Sequence, residues 1–146
     1  MSRTIKSVSC GTVEISDLSL GTDIVETNRI VRLIERFGES FLRKIFNGDE
    51  IAYCLGTSNP ASGFAARFAT KEAFSKALGT GIGKSVGWKD VSVGKKASGE
   101  PYVILSGKAV SSAQSLGFSE AKISLSHTKT LAQAIVVLIR KQHFPG

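Results

Sequence analysis

The stretch "FAARFATKEAFSKALGTG", residues 64–81, reads as the strongest helix in the chain. At one residue per 100°, Ala66, Ala69, Ala73 and Ala77 fall on one narrow stripe, so a neighbouring element can approach the helix backbone closely. The helix ends near Gly79, in a "GTGIG" run whose glycines permit positive φ or close approach of a ligand. Glu72 and Lys76, one turn apart, lie beside the alanine stripe. The plain reading of that spacing is a surface ion pair worth about 0.2–0.5 kcal/mol. Placement beside a close-packed seam points instead to partly desolvated charges that need a partner such as a metal ion or a phosphate. Spacing alone leaves both open.

The rest of the chain is read outward from this helix. "TVEISDLSLGTDIVE" carries apolar residues at Val13, Ile15, Leu18, Leu20 and Ile24 with the period of two of a half-buried strand. In "TNRIVRLIERFG" the period changes: Ile30, Leu33, Ile34 and Phe37 make a helical apolar face, Arg29, Arg32 and Arg36 share another, and Gly38 is placed to stop the helix. "SFLRKIFNGDEIAYCLG" reads as two short helical pieces broken at Asn47-Gly48, with Asn47 and Glu50 spaced for a capping box. "GTSNPASG" reads as a loop. "WKDVSV" and "PYVILS" are strands joined by a turn at "GKKASGE", "GKAVSSAQSLG" is a short helix, and "KISLSHT" is a strand. "LAQAIVVLIRK" holds the continuous apolar run of a strand buried on both faces. Helices and strands mix along one chain, which predicts an α+β or α/β domain.

Bulk properties limit the function classes. At 146 residues and 42% hydrophobic, the sequence suits a single domain over 1–146 with one core. The formal net charge of +7 favours partners bearing phosphate or carboxylate. The basic residues are scattered through amphipathic segments, with neither an arginine-rich tail nor an aromatic-basic repeat, which argues against a nucleic-acid binder. Cys10 and Cys54 have neither the spacing of a redox or zinc pair nor the density of a disulfide scaffold. No signal peptide or membrane span is read, so a cytoplasmic protein without membrane insertion is expected.

Asp23 and Glu26 stand where a strand passes into a helix, and their spacing puts both on one side if the helix begins there. Either one alone suits a helix N-terminus through the dipole; joined with Glu72 they make a sparse oxygen set of the kind magnesium takes. His127 lies between hydroxyls in "SLSHTKT" at the end of a strand, where it is structural or faces a cleft, and His143 is the weaker candidate. Trp88 and the phenylalanines read as core or seam residues.

Four stretches, "LGTDIVETNRI", "RFATKEAFSKALGTGIG", "SGEPYV" and "SLSHT", in this order and at these separations, resemble the holo-[acyl-carrier-protein] synthases, the small 4′-phosphopantetheinyl transferases. The resemblance runs from about Leu18 to Arg140. It implies a single-lobed α+β fold, an antiparallel-type sheet packed with helices, and a trimer with clefts between subunits. It also implies magnesium-dependent transfer of 4′-phosphopantetheine from coenzyme A to a serine of apo acyl carrier protein, with release of adenosine 3′,5′-bisphosphate. By the same resemblance Asp23 and Glu72 are the metal ligands and Lys76 binds phosphate, and these three are the catalytic set. Arg67, Lys71, Ser75, Lys76, Gly79, Gly99, Pro101, His127 and Thr128 are then the coenzyme contacts; Arg29 best matches the surface that receives the acidic carrier protein, and helix geometry adds Arg32 and Arg36 to it. Glu100 departs from the family pattern, which commonly has lysine before Pro101; residues 1–12 precede its usual start. A non-catalytic binding protein of the same fold is the rival reading.

Overall fold

The computed structural model describes residues 17–141. Strand β1 (Leu18–Glu26) leads into helices α1 (Thr27–Phe37), α2 (Glu39–Ile45), α3 (Gly48–Leu55) and α4 (Pro60–Leu78). A 3₁₀ turn at Trp88–Asp90 precedes β2 (Val91–Lys95) and β3 (Pro101–Leu105), followed by α5 (Gly107–Ser115), β4 (Glu120–His127) and β5 (Leu131–Ile139). One antiparallel sheet has the order β1-β5-β4, and β2 pairs with β3 in a separate antiparallel hairpin. This is the α+β arrangement expected from the sequence. Residues 1–12, Val13, Ile15 and His143 lie outside the described residues.

Helix α4 begins before Phe64, because Asn59 caps it by accepting from the Ser62 N–H at 3.4 Å and Pro60 occupies the first turn. The loop expected over "GTSNPASG" is therefore helical from Pro60 on. At the other end Gly79 adopts φ 79°, the left-handed stop that glycine makes cheap. Asn47 and Glu50 form the expected capping box at the start of α3.

The alanine seam of α4 lies on β1. A Cβ added to Gly21 would overlap the Ala73 carbonyl oxygen and stand 2.7 Å from the Ala77 nitrogen, and the Ser19 hydroxyl donates to the Ala77 carbonyl at 2.6 Å. Backbone touches backbone here, so no flexible side chain can yield. Gly21→Ala is expected to destabilise the fold by about 3 kcal/mol, read as a lowered midpoint in urea at unchanged slope. A midpoint within error of the parent would mean that β1 and α4 are not in this close contact.

The sheet corrects one expectation. Gly21 and Val25 are buried against α4, whereas Leu20 and Ile24 are 66% and 60% exposed on the opposite face. Strand β5 likewise buries Ala132, Ala134, Val136 and Leu138 and leaves Leu131 and Ile135 exposed, so it is covered on one face rather than two. The antiparallel register puts Leu20 beside Val137 and Thr22 beside Ile135 on this outer face. One contiguous core runs from Val25 to Leu138 around α4, and the outer face of β1 and β5 is a second, uncovered apolar surface.

Candidate active site

Strand β1 and helix α4 bring together two acids and a lysine. Asp23 points to the α4 side of β1, where its Oδ1 lies 2.9 Å from Lys76 Nζ, which also donates to the Thr22 carbonyl at 3.1 Å. Glu72, one turn before Lys76, is half-buried. Burial raises its pKa above the ordinary carboxylate value, and the charge of Asp23 raises it further; Lys76 and Arg29 pull it back. That mutual repulsion places Asp23 and Glu72 in one field, from positions far apart in sequence. Glu26 does not join them. The strand persists to Glu26, and a three-residue step along a strand turns the side chain to the opposite face, so the shared side expected for Asp23 and Glu26 is not formed. Among the described residues no group of three or more His, Cys, Asp or Glu side chains gathers.

A cavity of roughly 690 Å³ opens on the other flank of α4 and gathers Arg67, Gly99, Pro101, His127 and Thr128. Arg67 is only 4% exposed; its Nη1 donates to the Gly63 carbonyl at 3.2 Å, its guanidinium lies 4.6 Å from the centre of the Tyr53 ring, and its Nε has no partner. Thr128 closes the turn between β4 and β5 by accepting from Thr130 and Leu131, which holds His127 at the strand end. On a helix, Arg67 and Lys76 are nine residues and therefore about 180° apart. The acid-lysine pair and the Arg67 cleft thus flank the alanine seam on opposite sides.

Two expected coenzyme contacts are not surface groups. Lys71 is 0% exposed and donates to Glu50 at 2.8 Å, to the Trp88 carbonyl at 3.0 Å and to the Val91 carbonyl, so all three ammonium protons are used inside the core. Burial lowers its pKa, with Glu50 pulling it back up. Ser75 is equally buried and donates to the Glu72 carbonyl. Both sit on the side of α4 that carries Phe64 and Phe68, away from the alanine seam, and that phenylalanine stripe is the sequence signal that would have marked them as core. Gly79 is exposed at the helix end, apart from the Arg67 cleft.

Arg29, Arg32 and Arg36 are exposed on α1 as expected. Arg29 lies over the Phe68 ring at 5.6 Å, and Phe68 stacks on Trp88 at 4.9 Å. Arg29, Phe68 and Trp88, with Leu33, Phe37 and Phe41, line a groove of roughly 360 Å³ between α1 and α2. Tyr53 and Lys95 were not singled out from the sequence, because they reach the Arg67 cleft from α3 and β2, remote in the chain.

Residues 19–136 match the family model described as the 4′-phosphopantetheinyl transferase superfamily. The chain is similar to the holo-[acyl-carrier-protein] synthase of Koribacter versatilis, at 47% identity over 121 residues, covering 83% of this chain and 97% of that protein. Among solved structures it is similar to the holo-[acyl-carrier-protein] synthase of Neisseria meningitidis, with TM-score 0.78 and 34% identity over 84% of this chain and 98% of that one. It is also similar to the Helicobacter pylori holo-[acyl-carrier-protein] synthase in complex with coenzyme A, with TM-score 0.73 and 34% identity over 82% and 98% of the two chains.

Proposed function

This chain belongs to the 4′-phosphopantetheinyl transferase superfamily, and from that premise we propose that it is a holo-[acyl-carrier-protein] synthase. It transfers 4′-phosphopantetheine from coenzyme A to a serine of apo acyl carrier protein and releases adenosine 3′,5′-bisphosphate. The observation that carries the reading is the Asp23–Lys76 ion pair between β1 and α4, with Glu72 one turn earlier on α4, near enough for the charge of Asp23 to raise its pKa.

The reaction breaks one phosphoanhydride P–O bond and forms a phosphodiester to the serine oxygen, so the main task is to neutralise charge and hold the reactants in line. Asp23 and Glu72 suit a magnesium ion: two carboxylates that repel each other in a half-buried place are stabilised by a divalent cation, and magnesium needs few protein ligands beside water and phosphate. When bound, it would supply charge stabilisation to the non-bridging oxygens. Lys76 places a cation where negative charge collects on the departing bisphosphate. One of the two carboxylates, in its ionised form, would take the serine proton. Arg67, Gly99, Pro101, His127 and Thr128 form the coenzyme side, while Gly79 lies apart from them at the end of α4.

A donor cannot pass through α4, so the two flanks of that helix join in one cleft only when two copies meet. The uncovered apolar face of β1 and β5 gives copies a surface to bury, which supports a homotrimer with shared sites. The exposed arginines of α1, beside the groove lined by Phe68 and Trp88, suit an acidic carrier protein. The single contiguous core supports one domain, and the free, buried thiol of Cys54 suits the cytoplasm. No helix among the described residues is long and apolar enough to cross a membrane.

The test is incubation of apo carrier protein with coenzyme A and magnesium, read by intact mass. Gain of one phosphopantetheine, abolished by chelator and restored by magnesium, is expected; no gain with any carrier would favour a non-catalytic binding protein. Light scattering of the same sample is expected to give three chains, and a monomer mass in active enzyme would remove the shared cleft.

A further inference from the structure

We propose that Phe144 docks in the apolar groove between α5 and the start of β4, so that residues 142–146 brace α5 and the end of β3 against the main sheet. The groove shares no lining residue with the Arg67 cleft or with the groove between α1 and α2.

The space takes an apolar occupant. It measures about 320 Å³ and is lined by Leu105, Val110, Ala113, Phe118, Ala121 and Leu138. Leu105, Val110 and Ala121 are only half-buried, so apolar surface there is still open to water. Its polar lining residues, Gln114, Ser119 and Glu120, are exposed or half-buried, so no buried polar group inside it requires a hydrogen-bonding ligand. A cavity of about 150 Å³ lined by such side chains takes a benzene ring, so this one admits a phenyl ring with space left over.

The course of the chain selects the occupant. Beyond β5, Arg140 and Lys141 leave the sheet along the connection between α5 and β4: Arg140 Nε donates to the Leu116 carbonyl at 2.8 Å, its guanidinium lies 4.2 Å from the centre of the Phe118 ring, and the Lys141 N–H donates to Ser119 Oγ at 3.2 Å. Phe118 and Ser119 both line the groove. The next residues are Gln142, His143, Phe144, Pro145 and Gly146, of which Phe144 alone is large and apolar. Three residues past Lys141, it has a reach of about 10 Å from that anchor. The N-terminal residues are placed less well, because they join at Asp17 on the β1 side of β5, whereas the groove adjoins β4. Burying one phenylalanine ring takes about 150–250 Å² out of water, and the ring would join α5, Leu105 and the sheet through one contact.

The experiment is thermal unfolding of the full-length wild type, Phe144→Ser, Val110→Ala and the double variant. Phe144→Ser is expected to lower the melting temperature by about 5 °C, and to lower it by clearly less in the Val110→Ala background, because the two side chains share one contact. Amide hydrogen exchange in Phe144→Ser is expected to quicken about tenfold in α5 and over residues 118–121 while α1 keeps its rates, which reads the place of docking apart from its strength. An unchanged melting temperature, full additivity with Val110→Ala, or faster exchange confined to other elements would overturn the docking. A wild-type melting temperature that rises with protein concentration when that of Phe144→Ser does not would assign the ring to the groove of a second copy, and overturn the internal brace.

Discussion

Glu72→Gln is expected to lower kcat by roughly two to three orders of magnitude while leaving the melting temperature unchanged or slightly raised. The substitution keeps the size of the side chain and removes one charge. In the native protein that charge is held half-buried beside Asp23, and both conditions work against it. Losing it removes a repulsion and a desolvation cost, and the Ser75 hydroxyl still donates to the Glu72 main-chain carbonyl, which the variant retains. The chemistry loses one of two carboxylates able to hold a hard cation against the donor's diphosphate. Transfer measured by intact mass of the carrier, beside thermal unfolding followed by circular dichroism, separates the two effects. Near-normal rates would take Glu72 out of the catalytic set, and a collapsed melting temperature would make it a structural residue.

Lys71→Met is expected to destabilise the protein by about 3–5 kcal/mol, the typical cost of leaving one member of a buried ion pair without its partner. The change lowers the melting temperature by on the order of 10 °C for a chain of this size. Lys71 is the donor that joins α4 to the Glu50 carboxylate and to the Trp88 and Val91 carbonyls, and Glu50 in turn accepts from the Val93 N–H at 3.2 Å and caps α3. The pair thus ties α3, α4, the 3₁₀ turn and β2 through charges that water cannot reach. In Lys71→Met the Glu50 carboxylate stays buried with less to hold it, so adding Glu50→Gln should recover part of the loss by removing the stranded charge. A different outcome, normal stability with a raised KM for coenzyme A, would return Lys71 to the coenzyme contacts that the family resemblance implies.

These two neighbours in sequence show where reading along the chain succeeds and stops. The packing beside Glu72 was legible because the alanine stripe's 100° geometry alone predicts close approach on that side. Lys71 was not, since the resemblance assigned it to the coenzyme while its helical position put it among Phe64 and Phe68, and only the packed structure shows Glu50 arriving to neutralise it. Asp23 and Lys76 meet across 53 positions, and no local pattern reports that contact. Strand β1 was recognised by its period of two, yet alternation distinguishes two faces without telling which of them meets the helix. The apolar residues Leu20 and Ile24 turned outward, and the face with Gly21 turned in, because backbone contact with Ala73 needs the residue that has no side chain.

By itself, then, the order of residues determined what short-range forces can enforce: the α4 stripe and its Gly79 stop, the Asn47–Glu50 cap, the β2-β3 hairpin and the arginine face of α1. Hydrogen bonds and helical periodicity act over a few positions, so their residues announce them. The tertiary structure alone decided which charges lost their water, which acids came to share a field, and that the Asp23–Lys76 pair and the Arg67 cleft lie on opposite flanks of one helix. Burial and electrostatic fields depend on distance in space, which the chain acquires only when β1 closes over α4.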